Sequence, residues 1–174
     1  KHNAIWSKII KSYVMKKSNV DSKFSKIKRG EDKLLTISCI ENAENMLVIP
    51  NHLYDYRIDN LSMTRSFDPD YFEEIVIVEE YVYSKMKSHL TEKEDFCNWA
   101  DSLINIFIDY LVLTQKSNLS RMEKRKLIDK YRKRSIVMIA INLGITSPNY
   151  SCRIKSWLIR TRFYKLISMY FQIK

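Results

Sequence analysis

Glycine is nearly absent from this sequence, and its scarcity limits what the chain can fold into more than any other feature. The 174 residues contain two glycines and three prolines, which excludes collagen-like, linker-like and low-complexity chains. The sequence holds neither a G-x-G-x-x-G nor a Walker A pattern, so glycine-rich loops that cradle phosphate groups are excluded. With 45% hydrophobic residues, a chain of this length can form one domain, or slightly more, around a real core.

The cysteines and the apolar runs limit which cellular compartment and which kinds of site the sequence is compatible with. Cys39, Cys97 and Cys152 are more than 50 residues apart and form no C-x-x-C pair, so we expect buried, reduced thiols in a cytosolic protein rather than zinc ligands or disulfides. The best apolar run, residues 135–145, is shorter than the roughly 18–20 residues of a membrane span. The chain starts with Lys and carries no secretory signal, and we expect it to be a piece of a longer protein.

Positive charge is concentrated at one end of the chain. Residues 120–174 hold 14 Lys and Arg against two acids, a net charge of +12, whereas residues 1–119 carry a net charge of −2. Such an asymmetry predicts an anionic partner for the C-terminal part, either a membrane surface or nucleic acid.

The hydrophobic pattern changes character near residue 67. Before it we predict a helix over 2–14, a basic loop over 16–29, a helix over 31–43 and two short strands, 46–49 and 52–57. After it we predict only helices, over 69–89, 91–115, 120–142 and 150–172, with Gly144 ending the third of them. The predicted fold is therefore an α/β part over residues 1–67 and an all-α helical extension over residues 68–174, mostly α overall.

An acidic pair at a helix start is the feature with the clearest chemical potential. Glu31 and Asp32 follow Gly30, which suits a helix N-cap. Acids are common in a first helical turn because they favour the helix dipole, so the pair by itself does not predict catalysis.

Five short segments in order give the pair a context. They are Ala4-Ile5-Trp6-Ser7-Lys8-Ile9-Ile10, Arg29-Gly30-Glu31-Asp32, Met46-Leu47-Val48-Ile49, Leu53-Tyr54-Asp55-Tyr56-Arg57 and Asn60-Leu61-Ser62-Met63-Thr64. Their order and spacing over residues 1–67 resemble the acceptor-side, C-terminal half of bacterial family 2 glycosyltransferases. These are inverting enzymes of A-type fold that make capsular and other cell-surface polysaccharides. The family shows a W-x-K segment, a G-E-D helix start, a strand, a Y-x-Y-R strand and an S-(I/M)-T turn.

The resemblance implies a role for each acid. Asp32 would be the general base that accepts the proton of the acceptor hydroxyl, and Glu31 would orient or tune it. A positioned carboxylate makes a sugar hydroxyl a competent nucleophile by accepting its proton as the new bond forms.

Other residues of these segments are candidates for substrate binding. Tyr54, Tyr56 and Arg57 either line the acceptor cleft or reach the diphosphate, or else form a packed strand with Arg57 in solvent. Trp6 either stacks on a sugar ring or packs in the core. Two further positions, Ser62 and Thr64, either contact phosphate or form a turn.

The part of the family that binds the nucleotide sugar lies before these segments and carries a D-x-D that holds Mg²⁺ or Mn²⁺. No such part precedes the acidic pair here, so we expect the metal to be bound mainly by a missing N-terminal half and this chain alone to be inactive. Asp68-Pro69-Asp70 matches D-x-D by letters, but its place at a helix start predicts a capping sequence with Pro69 as the first helical residue.

The basic C-terminal part supports a second expectation. Arginines and lysines interleave with Trp157, Leu158, Phe163, Tyr164 and Ile167, a pattern typical of helices that lie in a membrane interface. An enzyme that extends a lipid-linked glycan at the cytoplasmic face of the plasma membrane would use such a surface. Two alternatives stay open: a bundle helix with a solvated basic face, and a non-enzymatic basic helical module that binds nucleic acid or a protein partner.

Overall fold

The computed structural model describes residues 8–18, 24, 26–47, 67–89 and 91–172, and within these ranges the protein is all α. The described residues form eight helices: α1 (Ser12–Lys17), α2 (Glu31–Asn42), α3 (Tyr71–His89), α4 (Lys93–Lys116), α5 (Arg121–Arg132), α6 (Ser135–Ile145), α7 (Tyr150–Arg160) and α8 (Tyr164–Gln172). The mostly helical character predicted from the sequence is confirmed. Of the two predicted strands, Met46 and Leu47 are described and belong to no strand, and the remaining positions lie outside the described residues.

The chain divides into two compact units, Lys1–Asn60 and Leu61–Lys174. In the first unit α1 packs against α2, and the buried side chains include Val14, Leu34 and Cys39. The predicted helix over 31–43 is confirmed as α2. The predicted helix over 2–14 is wrong over residues 8–11, because the extended backbone at Lys11 delays the helix start to Ser12. The helix then continues to Lys17, into the predicted loop.

Helix α4 is the centre of the second unit and contacts α3, α5, α6, α7 and α8. By length and composition this helix is apolar enough to cross a membrane, which the sequence analysis did not anticipate. Half of its apolar window is buried inside the unit, as expected for a core helix. One row of its buried residues has the three- and four-residue spacing of a single helix face, Cys97, Ala100, Leu103, Ile104, Phe107, Ile108 and Leu111, and Trp99, Tyr110 and Thr114 are buried as well.

Two buried polar arrangements tie α3 to the other helices. The hydroxyls of Tyr110 and Tyr131 both donate to the carbonyl of Pro69, at 3.2 and 3.1 Å. Their rings surround Phe72, which is fully buried. The indole Nε1 of Trp99 donates to the buried carboxylate of Glu79 at 2.8 Å. These contacts satisfy polar atoms that would otherwise destabilise the core.

The single helix predicted over 120–142 is two helices. Its start is confirmed, since Ser120 and Glu123 form a capping box. The break comes at Lys133–Arg134, where the backbone of Arg134 is extended and its guanidinium donates to Glu73 at 2.7 Å.

Gly144 does not end the helix but lies inside α6. A Cβ atom at this position would overlap the Ser156 hydroxyl of α7 and the Ile104 side chain of α4. The glycine therefore allows α6 to pack closely against its two neighbours, and the helix continues to Ile145.

The last predicted helix, 150–172, is also divided, and the division lies at residues 161–163. Arg162 adopts a left-handed backbone conformation with φ 63°. The amide of Arg162 donates to Ile159, and that of Phe163 donates to Leu158. This is the hydrogen-bond pattern of a Schellman motif, here built with arginine where glycine is usual.

Candidate functional site

The acidic pair lies at the first turn of α2. Gly30 precedes the helix with φ 92° and ψ 4°, a left-handed conformation that glycine adopts without steric cost. Its carbonyl accepts hydrogen bonds from the amides of Lys33 at 3.0 Å and Leu34 at 3.2 Å, which starts the helix. As a result Glu31 is exposed and Asp32 is half-buried, so both carboxylates are accessible to a ligand.

Lys8 is one positive group whose charge interacts with this helix start. Partial burial lowers the pKa of the Lys8 ammonium, and the negative charge of Asp32 acts in the opposite direction. The lysine of the W-x-K segment and the second acid of the G-E-D segment are therefore within electrostatic range of each other. Spacing along the sequence, with some two dozen residues between them, gave no indication of this proximity.

The other predicted site residues lie outside the described residues. They are Trp6, Tyr54, Tyr56, Arg57, Ser62 and Thr64. Their assignment to substrate binding stays a prediction. The part of the site that the structure describes consists of the Gly30 turn, Glu31, Asp32 and Lys8.

The D-x-D letters at residues 68–70 form a helix start. The Asp68 carboxylate accepts a hydrogen bond from the amide of Asp70 at 3.0 Å, which closes an Asx turn directly before the helix. The helix itself begins at Tyr71, so Pro69 lies in the turn before it and not at the first helical position as predicted. Among the described residues no group of three or more His, Cys, Asp or Glu side chains is arranged to hold a metal ion.

All three cysteines are buried and unpaired with one another, as predicted. Burial raises the pKa of the Cys152 thiol to about 11, and the negative charge of Asp101 acts in the same direction. This environment disfavours the thiolate of Cys152, which is the reactive form of a cysteine.

A second surface of interest lies on α7 and α8. The turn at Arg162 brings the rings of Trp157 and Phe163 together, stacked with their centroids 5.9 Å apart. Both remain accessible, with relative exposures of 52% and 48%. Trp157 and Phe163 are therefore not core residues of the bundle. A bundle helix whose exposed face carries only basic side chains is excluded at these two positions.

The expectation for two other tail residues is wrong. Tyr164 is 7% exposed and Ile167 is fully buried, so neither faces a partner. The Tyr164 hydroxyl donates to the Asp129 carboxylate of α5 at 2.8 Å, and burial together with this hydrogen bond raises its pKa well above the ordinary range. The sequence analysis missed the exposed Tyr150 and Met169, which extend the Trp157–Phe163 pair along the two helices. Helical spacing from Trp157 could have identified Tyr150.

Comparison with known proteins identifies no relative of this chain. The sequence matches no protein-family model, no curated protein and no solved structure. In the residues that the structure describes, the chain is a helical protein of two compact units.

Proposed function

We propose that this chain forms the acceptor-side part of an inverting, nucleotide-sugar-dependent glycosyltransferase of cell-surface polysaccharide synthesis. The observation that carries the proposal is the start of α2, where the left-handed Gly30 places Glu31 and Asp32 in the first helical turn. The proximity of Lys8 adds support, because it joins two of the segments on which the family resemblance rests.

In the proposed reaction Asp32 acts as the general base. An acceptor hydroxyl donates its proton to the Asp32 carboxylate while its oxygen attacks the anomeric carbon of the donor sugar. The nucleoside diphosphate leaves from the opposite face with the bonding electron pair, so the configuration at that carbon inverts. Glu31, one residue earlier and more exposed, orients the acceptor or the Asp32 carboxylate.

The donor side is assigned to a separate part of the enzyme. The D-x-D that the family uses for a divalent metal has no counterpart before the acidic pair, and the Asp68 carboxylate is engaged in the turn before α3. A divalent metal bound with the nucleotide sugar would stabilise the charge of the leaving diphosphate. The described residues of this chain contribute acceptor deprotonation and not metal binding.

The substitution Asp32→Asn tests the proposal in a protein that combines these residues with the donor-binding part. Turnover should fall by about 10²- to 10⁴-fold, because the amide cannot accept the proton, while the KM for the nucleotide sugar should stay near its wild-type value. Initial-rate measurements with both substrates varied separate the two parameters. Near-normal turnover of the variant would remove the base assignment.

Asp68→Asn is the matched control. It removes the same charge, but its side-chain oxygen can still accept the Asp70 amide, so α3 and turnover should both be preserved. A large loss of turnover in this variant would move the catalytic acids to residues 68–70. Calorimetry of the 174-residue chain with UDP and Mn²⁺ completes the test, and tight one-to-one binding would contradict the separate donor side.

A further inference from the structure

Large exposed apolar side chains of the second unit are concentrated on α7 and α8. Among its described residues only Ile77 and Met122 lie elsewhere. The other six form what we name the α7–α8 patch: Tyr150, Ile154, Trp157, Phe163, Leu166 and Met169. Exposed apolar residues scattered singly are ordinary, but a contiguous group marks a surface that binds a partner.

The patch faces away from the core. On α7 the buried residues Cys152, Ser156 and Ile159 recur at helical spacing and pack towards α4 and α6. Tyr150 and Trp157 lie on the opposite side of the helix, at a spacing of seven residues. Because the ring of Phe163 stacks on that of Trp157, the patch continues from α7 into the turn that precedes α8.

Only positive charges accompany the patch on these helices. The exposed side chains of Arg153, Arg160, Arg162 and Lys165 lie on α7, on α8 or in the turn between them. The Arg153 guanidinium lies over the Tyr150 ring, 5.3 Å from its centroid. No Asp or Glu follows Asp129 in the sequence. The charge complements an anionic partner, and the apolar groups require that the partner also offer an apolar phase.

We propose that the α7–α8 patch inserts into the headgroup region of an anionic lipid bilayer, with α7 lying along the membrane surface. Trp and Tyr rings are favoured at the boundary of headgroups and acyl chains, and Arg side chains can bury their stems while the guanidinium stays with the lipid phosphates. Nucleic acid supplies the negative charge but no apolar phase for Leu166 and Met169. The inference does not rest on the proposed enzymatic function.

The double substitution W157A/F163A tests the patch by co-sedimentation with phosphatidylcholine vesicles that do or do not contain phosphatidylserine. The wild-type protein should pellet with the anionic vesicles, and the variant should bind them about 10- to 100-fold more weakly, because two rings no longer leave water. I77A/M122A is the matched control. It removes the two large exposed apolar side chains that lie off the patch among the described residues of the second unit, so its binding should equal that of the wild type.

Salt and fluorescence separate insertion from simple attraction. Raising the salt concentration should weaken wild-type binding without abolishing it, because salt screens the arginines but not the buried apolar surface. Trp157 emission, isolated as the difference between the wild type and Trp157→Phe, should shift to shorter wavelength with anionic vesicles. The Trp157→Phe variant keeps an aromatic ring against Phe163, which preserves the fold of the turn.

Three outcomes would each overturn the proposal. Equal binding of the wild type and W157A/F163A would show that basic charge alone attracts the vesicles. Complete loss of wild-type binding at moderate salt, with no shift of Trp157 emission, would lead to the same conclusion. A dimer in the absence of lipid that W157A/F163A converts to monomer would show that a second copy of the chain covers the patch.

Discussion

Two left-handed backbone positions, Gly30 and Arg162, each set up one of the two proposed sites. Gly30 starts α2 and places the acidic pair, whereas Arg162 separates α7 from α8 and joins Trp157 to Phe163. At position 30 the residue is glycine, which adopts a left-handed conformation without strain. At position 162 the residue is arginine, for which the left-handed conformation costs on the order of 1–2 kcal/mol. The difference shows that tertiary contacts can hold a conformation that the local sequence does not favour.

Asp129 of α5 contacts residues of the turn at Arg162. Its carboxylate accepts hydrogen bonds from Tyr164 and from the Arg132 Nε at 3.3 Å, and the Arg162 Nε lies 3.9 Å away. Contacts on both sides of the turn thus converge on one half-buried acid of α5. In the first unit Gly30 needs no such support.

Of the substitutions considered, Asp129→Ala should have the largest effect on stability. We expect the second unit to lose about 2–3 kcal/mol of its free energy of unfolding, because the buried Tyr164 hydroxyl and a charged Arg132 lose their partner. Urea denaturation followed by far-ultraviolet circular dichroism measures the loss. Glu94→Ala, an exposed acid in the first turn of α4, serves as the control and should change little.

The same carboxylate makes this contribution dependent on pH. Burial alone would raise the pKa of Asp129, but hydrogen bonds from Tyr164 and Arg132 outweigh it, and the pKa is lowered in the folded protein. A lowered folded pKa gives stability that is present above the unfolded value of about 3.9 and is lost as the pH falls through the folded pKa. The difference between the wild type and Asp129→Ala should therefore shrink below about pH 4. A difference that stays constant down to pH 2 would contradict the assignment.

Gly30→Ala should have the next largest effect, about 1–2 kcal/mol of destabilisation of α2, because alanine at φ 92° is strained. Hydrogen exchange of the α2 amides, compared with the wild type, reports the effect in the first unit. Gly30→Asn is the matched variant, since asparagine tolerates left-handed backbone better and should lose less. Equal losses in the two variants would show that contact with a Cβ atom, and not backbone conformation, is decisive.

Arg162→Gly should have the smallest effect, and in the opposite direction. Removing the Cβ atom relieves the left-handed strain, while the loss of a long, half-exposed ion pair is worth little, so we expect a gain of about 0.5–1 kcal/mol. Arg162→Ala removes the same ion pair but keeps the Cβ atom and should be slightly less stable than the wild type. Thermal unfolding of the three proteins decides the order. If both variants are destabilised equally, the guanidinium matters more than the backbone.

The same contrast explains which parts of the fold could be predicted from the sequence. Helix starts that local residues mark were predictable: the side-chain cap of Ser120, and Gly30 before two acids. The breaks at Arg134 and Arg162 were not, because no glycine or proline marks either of them and both lie where residues distant in the sequence come together. Gly144 was misinterpreted because its role is steric and involves two other helices.

In the candidate sites, too, local features could be predicted from the sequence and tertiary contacts could not. The helical position of Glu31 and Asp32 followed from the residues themselves, but the proximity of Lys8 to Asp32 depends on tertiary packing. In the tail, the turn at Arg162 resets the helical phase. The sequence therefore could not show that Phe163 is exposed while the adjacent Tyr164 is buried.

The burial of all three thiols has a consequence for experiments on dynamics. Cys39 lies in the first unit, and Cys97 and Cys152 lie in the second. A thiol reagent can reach them only when the surrounding structure opens, so the labelling rate of each cysteine measures the frequency of opening at its own location. Peptide-level mass spectrometry of a single labelling time course would then time the two units independently in the unmodified protein. The three cysteines thus serve as native reporters of local opening, and no engineered probe is needed.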